Sequence, residues 1–462
     1  MAAIITTPFR IVNARNFKDD VESNNVYIGI GKSDAWSANA ADTTDTVEDV
    51  PGDHIDDLNQ AHENLIGLKK VAQSDISHVV RRINWEAGKA FSPYDSSDPD
   101  LYDKDFYCLT SEFKVYKCIQ AGSAGSTVQP VHTDASIQRL TDSYHWKYMY
   151  TLTTADSEAF LTNSFMPVKT LAMAPDLAET DVDYPQQQSQ IQSRDSSIAA
   201  GIHRIVVTNG GSNYTVDQTI TVAITGDGST EADVVDADVE IGSDGSITAI
   251  NVGLTNDGKG YTKANITISS SGVGQNATAR AVIAPLLGHG VDPVSELGGF
   301  FVGVNTLLTG NEVTINNDFR QVTVIRNPKL IGGADATATT INPLKYLQAV
   351  SDVTNFLPDD RIQNQATPPA IAFVAYRATD TDKIYYYQNE KTGYEDFQNG
   401  DVISNQGGST VTLDGTSAVN YNGASEGGPY DIGSGEILFL ENRQPINRSQ
   451  TQIEDIKCII EF

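Results

Sequence analysis

Short runs rich in Val, Ile, Thr and Tyr, separated by Gly, Ser and Asn turns, recur along this chain, while long stretches with helical three- and four-residue spacing are scarce. β-Branched and aromatic residues fit a pleated, half-buried surface, and 37 glycines supply positions for tight turns. A chain of 462 residues exceeds what one core serves, since a domain takes roughly 100–200 residues. The expected fold is mainly β, with several antiparallel β-sandwich or barrel-like domains and few short helices. The clearest helix expected is 53–70 (DHIDDLNQAHENLIGLKK), where Ile55, Leu58, Ala61, Leu65 and Leu68 recur at helical spacing, with acidic residues early and lysines late.

Two regions stand apart by pattern. The polar, low-complexity segment 185–195 (PQQQSQIQSRD) reads as a linker. Beyond it, 204–215 (RIVVTNGGSNYT) repeats without gaps as 251–262 (NVGLTNDGKGYT), in a register that sets Asn209 on Asn256, Gly211 on Gly258 and Tyr214 on Tyr261. Each copy reads as strand, glycine turn, Tyr and second strand (TITVAI and ANITISS). Two copies are too few for a solenoid, so one compact, externally displayed β-domain is expected. A second region, 329–434, carries AIAFVAYRAT, KIYYYQN and STVTLD as strand candidates.

Further motifs occur in a fixed order: 25–37 (NVYIGIGKSDAWS), 80–85 (VRRINW), 113–118 (FKVYKC), 144–152 (YHWKYMYTL), 318–328 (DFRQVTVIRNP) and 436–462 (EILFLENRQPINRSQTQIEDIKCIIEF). Their content and order resemble the gene product eight family, a wedge subunit in the baseplates of T-even-type contractile phage tails. The resemblance implies a discontinuous framework of 1–184, 285–328 and 435–462, with more than one β-domain. The stretches 185–284 and 329–434 have no recognised counterpart and are expected as inserted β-rich domains. Repeats of the form T-N-x-G-x-x-Y-T also resemble small β-modules inserted into phage tail proteins. As implied by the family, the chain is a homodimer that joins neighbouring wedge proteins, among them gene products six, seven and ten. It supports baseplate assembly and rearrangement on sheath contraction.

Charge narrows the partners. With 60 acidic against 31 basic residues and a net charge of −29, the chain has no cationic block for a phosphate backbone, so direct nucleic-acid binding is not expected. No apolar run approaches the ~20 residues that span a bilayer, and the start lacks a secretion-signal pattern. Cys108, Cys118 and Cys458 show no metal-ligand spacing and read as buried thiols of a chain folded in the reducing host cytoplasm before incorporation in the virion.

Catalytic and cofactor signals are weak throughout, and neither an enzyme nor a cofactor is expected. The segment 29–33 (GIGKS) ends like a phosphate-binding loop, but Val26 stands where the full motif requires its first Gly. It reads instead as a strand-ending turn anchored by Trp36. The aspartates of 95–105 (DSSDPDLYDKD) lack calcium-loop spacing and read as a solvated loop. The histidines are scattered, without HExxH or CxxC, and no GxSxG is present.

Arg81, Arg82 and Trp85 combine residue types enriched in interface hot spots, or else serve the local core and carboxylates. Glu441, Asn442 and Arg443 before Pro445 read as an internal turn network in preference to a contact patch. The alternative function is a receptor- or glycan-binding tail protein that exposes Tyr214 and Tyr261; packing of both tyrosines inside their module is the favoured reading.

Overall fold

The computed structural model describes residues 4–36, 50–171, 177–233, 239–251, 257–309, 318–421, 430–448 and 452–462. It is mainly β, as the turn-punctuated runs predict, with several antiparallel sheets. The chain divides into two compact units, one of Met1–Arg15, Ser77–Gly303 and Glu461–Phe462, the other of Asn16–Ile76 and Val304–Ile460.

In the first unit, a four-stranded sheet has the order Tyr107–Leu109, Lys114–Gln120, His145–Thr151, Gln138–Arg139. Its third strand is buried on both faces through Tyr150, because side chains pointing to either side meet protein. Trp146, Tyr116, Tyr148 and Tyr150 are all fully buried there, and Phe91 meets Trp146 edge to face at 5.2 Å. The polar segment expected as a linker is instead the helix Tyr184–Asp195, opened by a proline in its first turn. Ser193, wholly buried, donates its hydroxyl to the Tyr148 carbonyl at 2.7 Å, and Lys147 donates to the Ser193 carbonyl at 3.0 Å. The helix therefore docks through small and polar groups, and no apolar stripe announces it.

The repeats build a module within the same unit. Ile220–Gly226 pairs with Ala264–Ser270, so the second strands of the two copies lie side by side, and Ile202–Asn209 pairs with Thr278–Ile283. Each copy's turn is covered by the segment that follows the other copy's second strand. Ser212 bridges to Gln275 and Lys259 to Thr230; Ala277 N–H reaches the Tyr214 hydroxyl at 3.4 Å, and Ala232 N–H the Tyr261 hydroxyl at 2.8 Å. This reciprocal cover closes one core with only two repeats. Residues 252–256 of the second copy, including Asn256 of the repeat register, lie outside the described residues.

In the second unit, strands remote in sequence form one sheet, in the order Thr340–Ile341, Leu65–Lys70, Val26–Gly31, Phe319–Arg326, Glu436–Ile446. The expected helix over 53–70 ends early: Ile55–Glu63 is helical, and Leu65–Lys70 is a strand pairing Leu68 with Gly29. The three-residue spacing of Leu65 and Leu68 suits a helix, but in the strand a register shift between Ile30 and Gly31 brings both leucines against Gly29. Gly29 is required by close approach, since a Cβ there would lie 2.5 Å from Thr323 Oγ1. A seven-stranded sheet spans Lys345–Gln348 to Val419–Tyr421 in sequence and holds its own core around Leu347, Phe356, Val374 and Ile403.

Candidate interface residues

Trp36 and Arg443, far apart in sequence, meet in the second unit: the Trp36 indole N–H donates to the Arg443 carbonyl at 3.0 Å. Glu441, Asn442 and Arg443 lie within the strand Glu436–Ile446, not in the expected turn, because ladder pairing with Phe319–Arg326 extends through them. Arg443 forms a two-pronged pair with Glu441, 2.9 Å at each contact, and Asn442 accepts from Gln321 Nε2 at 2.9 Å. Lys32, at the end of the GIGKS segment, has a φ of 59° and pairs with Asp34 at 2.7 Å. Glycines 29 and 31 belong to the preceding strand. Residues 37–49 lie outside the described residues.

Arg81 and Arg82 form local bonds in the first unit. Arg81 donates to the Lys104 carbonyl at 3.2 Å, while Arg82 donates to Asn84 Oδ1 and the Thr162 carbonyl, each at 2.9 Å. Trp85 packs against the aromatic core and donates to Ser126 Oγ at 3.1 Å.

Sequence reasoning missed a buried charged cluster. Lys117 is wholly buried and paired with Glu296, whose carboxylate also accepts from Gly290 N–H at 2.8 Å and Asp292 N–H at 3.1 Å. Burial pushes the Lys117 ammonium below the usual lysine range, against the opposing pull of Glu296. Lys147 is pushed down to about 8 by burial, and His289, wholly buried, falls well below the ordinary histidine value. Glu296 sits on the short helix Pro293–Leu297, capped by Asp292 and ended by Gly298 at φ 78°. A lysine alternating with apolar residues in KVYKC resembles an ordinary half-exposed strand, so its burial leaves no sequence signal.

Asp95 also departs from its expected solvated loop. It is buried and receives Arg280 Nη1 at 2.9 Å and Arg204 Nη2 at 3.1 Å, which ties the repeat module to the aromatic framework. Burial raises its pKa, but hydrogen bonds from Arg280 and Ser97 and the Arg204 charge outweigh burial and hold the carboxyl well below the usual range. The three cysteines are free and buried. Among the described residues, no group of three or more His, Cys, Asp or Glu could hold a metal ion, and no helix is long and apolar enough to cross a membrane.

Both repeat tyrosines are 2% exposed and packed in the module core, which contradicts their use as exposed platforms for sugars. Antiparallel sheets, with motif side chains bonded to neighbouring strands and loops, define a protein of mainly β architecture. Residues 3–143, under a third of the chain, match the family described as Bacteriophage T4, Gp8, and the match supports a relation to that family of phage baseplate proteins. The match supports a structural role in a phage tail baseplate, the setting that the family implies. A search of curated proteins finds no match.

Proposed function

We propose that the chain is a homodimeric connector in the baseplate wedge, joining neighbouring proteins that resemble gene products six, seven and ten, without enzymatic activity. The observation that carries this reading is the family match over residues 3–143. The five-stranded sheet adds support: strands around residues 26, 65, 319 and 436, which lie in the motif-bearing parts of the sequence or beside them, share one sheet. In this reading, 185–284 and 329–434 are insertions into the family framework, and Trp36, Arg81, Arg82, Trp85, Glu441, Asn442 and Arg443 hold that framework. Rearrangement on sheath contraction exchanges one set of intersubunit contacts for another, since only differential contacts move such an equilibrium.

Light scattering on the purified chain, alone and mixed with the neighbouring wedge proteins of the same virion, tests the reading. A dimer that recruits them in fixed proportion is expected. A monomer that ignores them and binds host cells overturns it.

A further inference from the structure

Three depressions in the second unit join into one trough around the helix Ile55–Glu63. The largest, about 360 Å³, is lined by Trp36, Lys32, Lys391 and the amides of Asn64, Gln321 and Asn389. It shares Gln60 and Glu390 with a shallow depression of about 340 Å³, which in turn shares Glu63 and Tyr394 with a third of about 220 Å³. That last depression is bounded by Leu344, Tyr386, Pro343 and Ile432, and so has an apolar wall.

Charge varies along the trough. Lys32 and Lys391 converge on Asp34, each at 2.7 Å, so the cations at the Trp36 end are engaged. At the middle, Asp56, Asp57, Glu63 and Glu390 form no ion pair with a lysine or arginine among the described residues. Their polar contacts include Gln60 Nε2 to Glu390 at 3.0 Å and the Tyr394 hydroxyl to Glu63 at 2.7 Å. Tyr394 is 56% exposed. At the Trp36 end, Gln321 also lines the trough, its Nε2 donating to Asn442 Oδ1 at 2.9 Å.

We infer that this trough receives an extended polypeptide segment of a neighbouring baseplate protein, with one or more Lys or Arg side chains over Glu63 and Glu390. An apolar side chain of that segment enters the Tyr386–Leu344 depression, and its backbone or side-chain amides meet Asn64, Gln321 and Asn389. Unpaired carboxylates at the centre select a cationic occupant over an anionic one, and the chain's net charge of −29 steers it inward. A neutral glycan would use the aromatic rings and amides but leave the central charge unanswered. The inference rests on the wedge reading above and specifies one of its contacts.

The test compares the full chain with Glu63→Gln/Glu390→Gln, both partly or fully exposed positions, and with Tyr394→Ala. Affinity for purified neighbouring baseplate proteins is measured at low and moderate salt, with light scattering and thermal unfolding of each variant alone. The double variant is expected to bind one neighbour at least tenfold more weakly and with less salt dependence, its mass and unfolding unchanged. Equal affinity of wild type and variant overturns the trough and leaves the wedge reading intact. If wild type binds no neighbour, the wedge reading fails, and calorimetry with a leucine- and lysine-containing hexapeptide and an N-acetylglucosamine tetramer decides the trough. Saturable peptide binding lost in the double variant supports it; sugar binding alone, or none, overturns it.

Discussion

The aromatic framework and the repeat module belong to one unit yet reach stability by opposite means. In the framework, His145–Thr151 is buried on both faces through Tyr150 and surrounded by Trp and Tyr rings, so charged residues such as Lys117 are enclosed and must be paired. In the module, Ala264–Ser270 alternates between partly buried and exposed positions, and a thin core depends on two tyrosines and close backbone contacts. Enclosed charge in the thick layer is costly unless a partner compensates it, whereas the thin layer depends more on close fit.

Replacing Glu296 with Leu tests the thick layer most severely. It leaves Lys117 buried without its partner, and a loss of roughly 3–5 kcal/mol in urea unfolding is expected; a loss below about 1 kcal/mol would show that the pair is not enclosed. In the thin layer, Tyr261→Ala is expected to cost about 3 kcal/mol and to expose the module, but not the framework, to limited proteolysis. Cleavage in both regions at once would show that the two layers do not depend on separate contacts.

Lys147 supplies a pH signature of the framework. Its folded value of about 8 lies below the ordinary lysine value of 10.5, so the native state binds this proton less tightly than the unfolded chain. Its unfavourable contribution is fully present below pH 8 and relieved as pH rises towards 10.5. Wild type should therefore gain on Lys147→Met by on the order of 2 kcal/mol across that window, as followed by denaturant titration at several pH values. A constant difference would contradict burial of the ammonium.

The smallest effect concerns the junction between the two regions. Asp95→Asn should cost about 1 kcal/mol, because Arg280 is partly exposed and its pairing is screened by solvent. The depressed Asp95 pKa contributes stability above the unfolded carboxylate value and loses it as pH falls, so the variant should lose less stability on acidification than wild type. Parallel acid titrations of the two proteins check this sign.

Much of the strand content is legible in sequence because it follows period two or matches a family motif. TITVAI and ANITISS become paired strands, as do KIYYYQN and the motif strands around residues 319 and 436. The burial of Tyr214 and Tyr261 could also be argued from their equivalent places after glycine turns. What misled was local pattern without its partner. The 184–195 helix hides its contact face in Gln190 and Ser193, and the three-residue spacing of Leu65 and Leu68 reads as helix until Val26–Gly31 pairs beside it with a register shift. Of the candidate residues, Glu441–Arg443 are identifiable as a motif, but their strand and the Trp36 contact depend on pairing across hundreds of residues.

By itself the sequence determined the β class, the two-repeat module, the acidic surface and the order of family motifs. Each is a property of composition or of spacing along the chain, and survives without knowledge of neighbours in space. Only the tertiary structure decided which lysines are enclosed, which aspartate ties the module to the framework, and how three depressions join around one helix. Burial and unpaired charge depend on what packs against a residue, and that is set by contacts between segments the sequence keeps far apart.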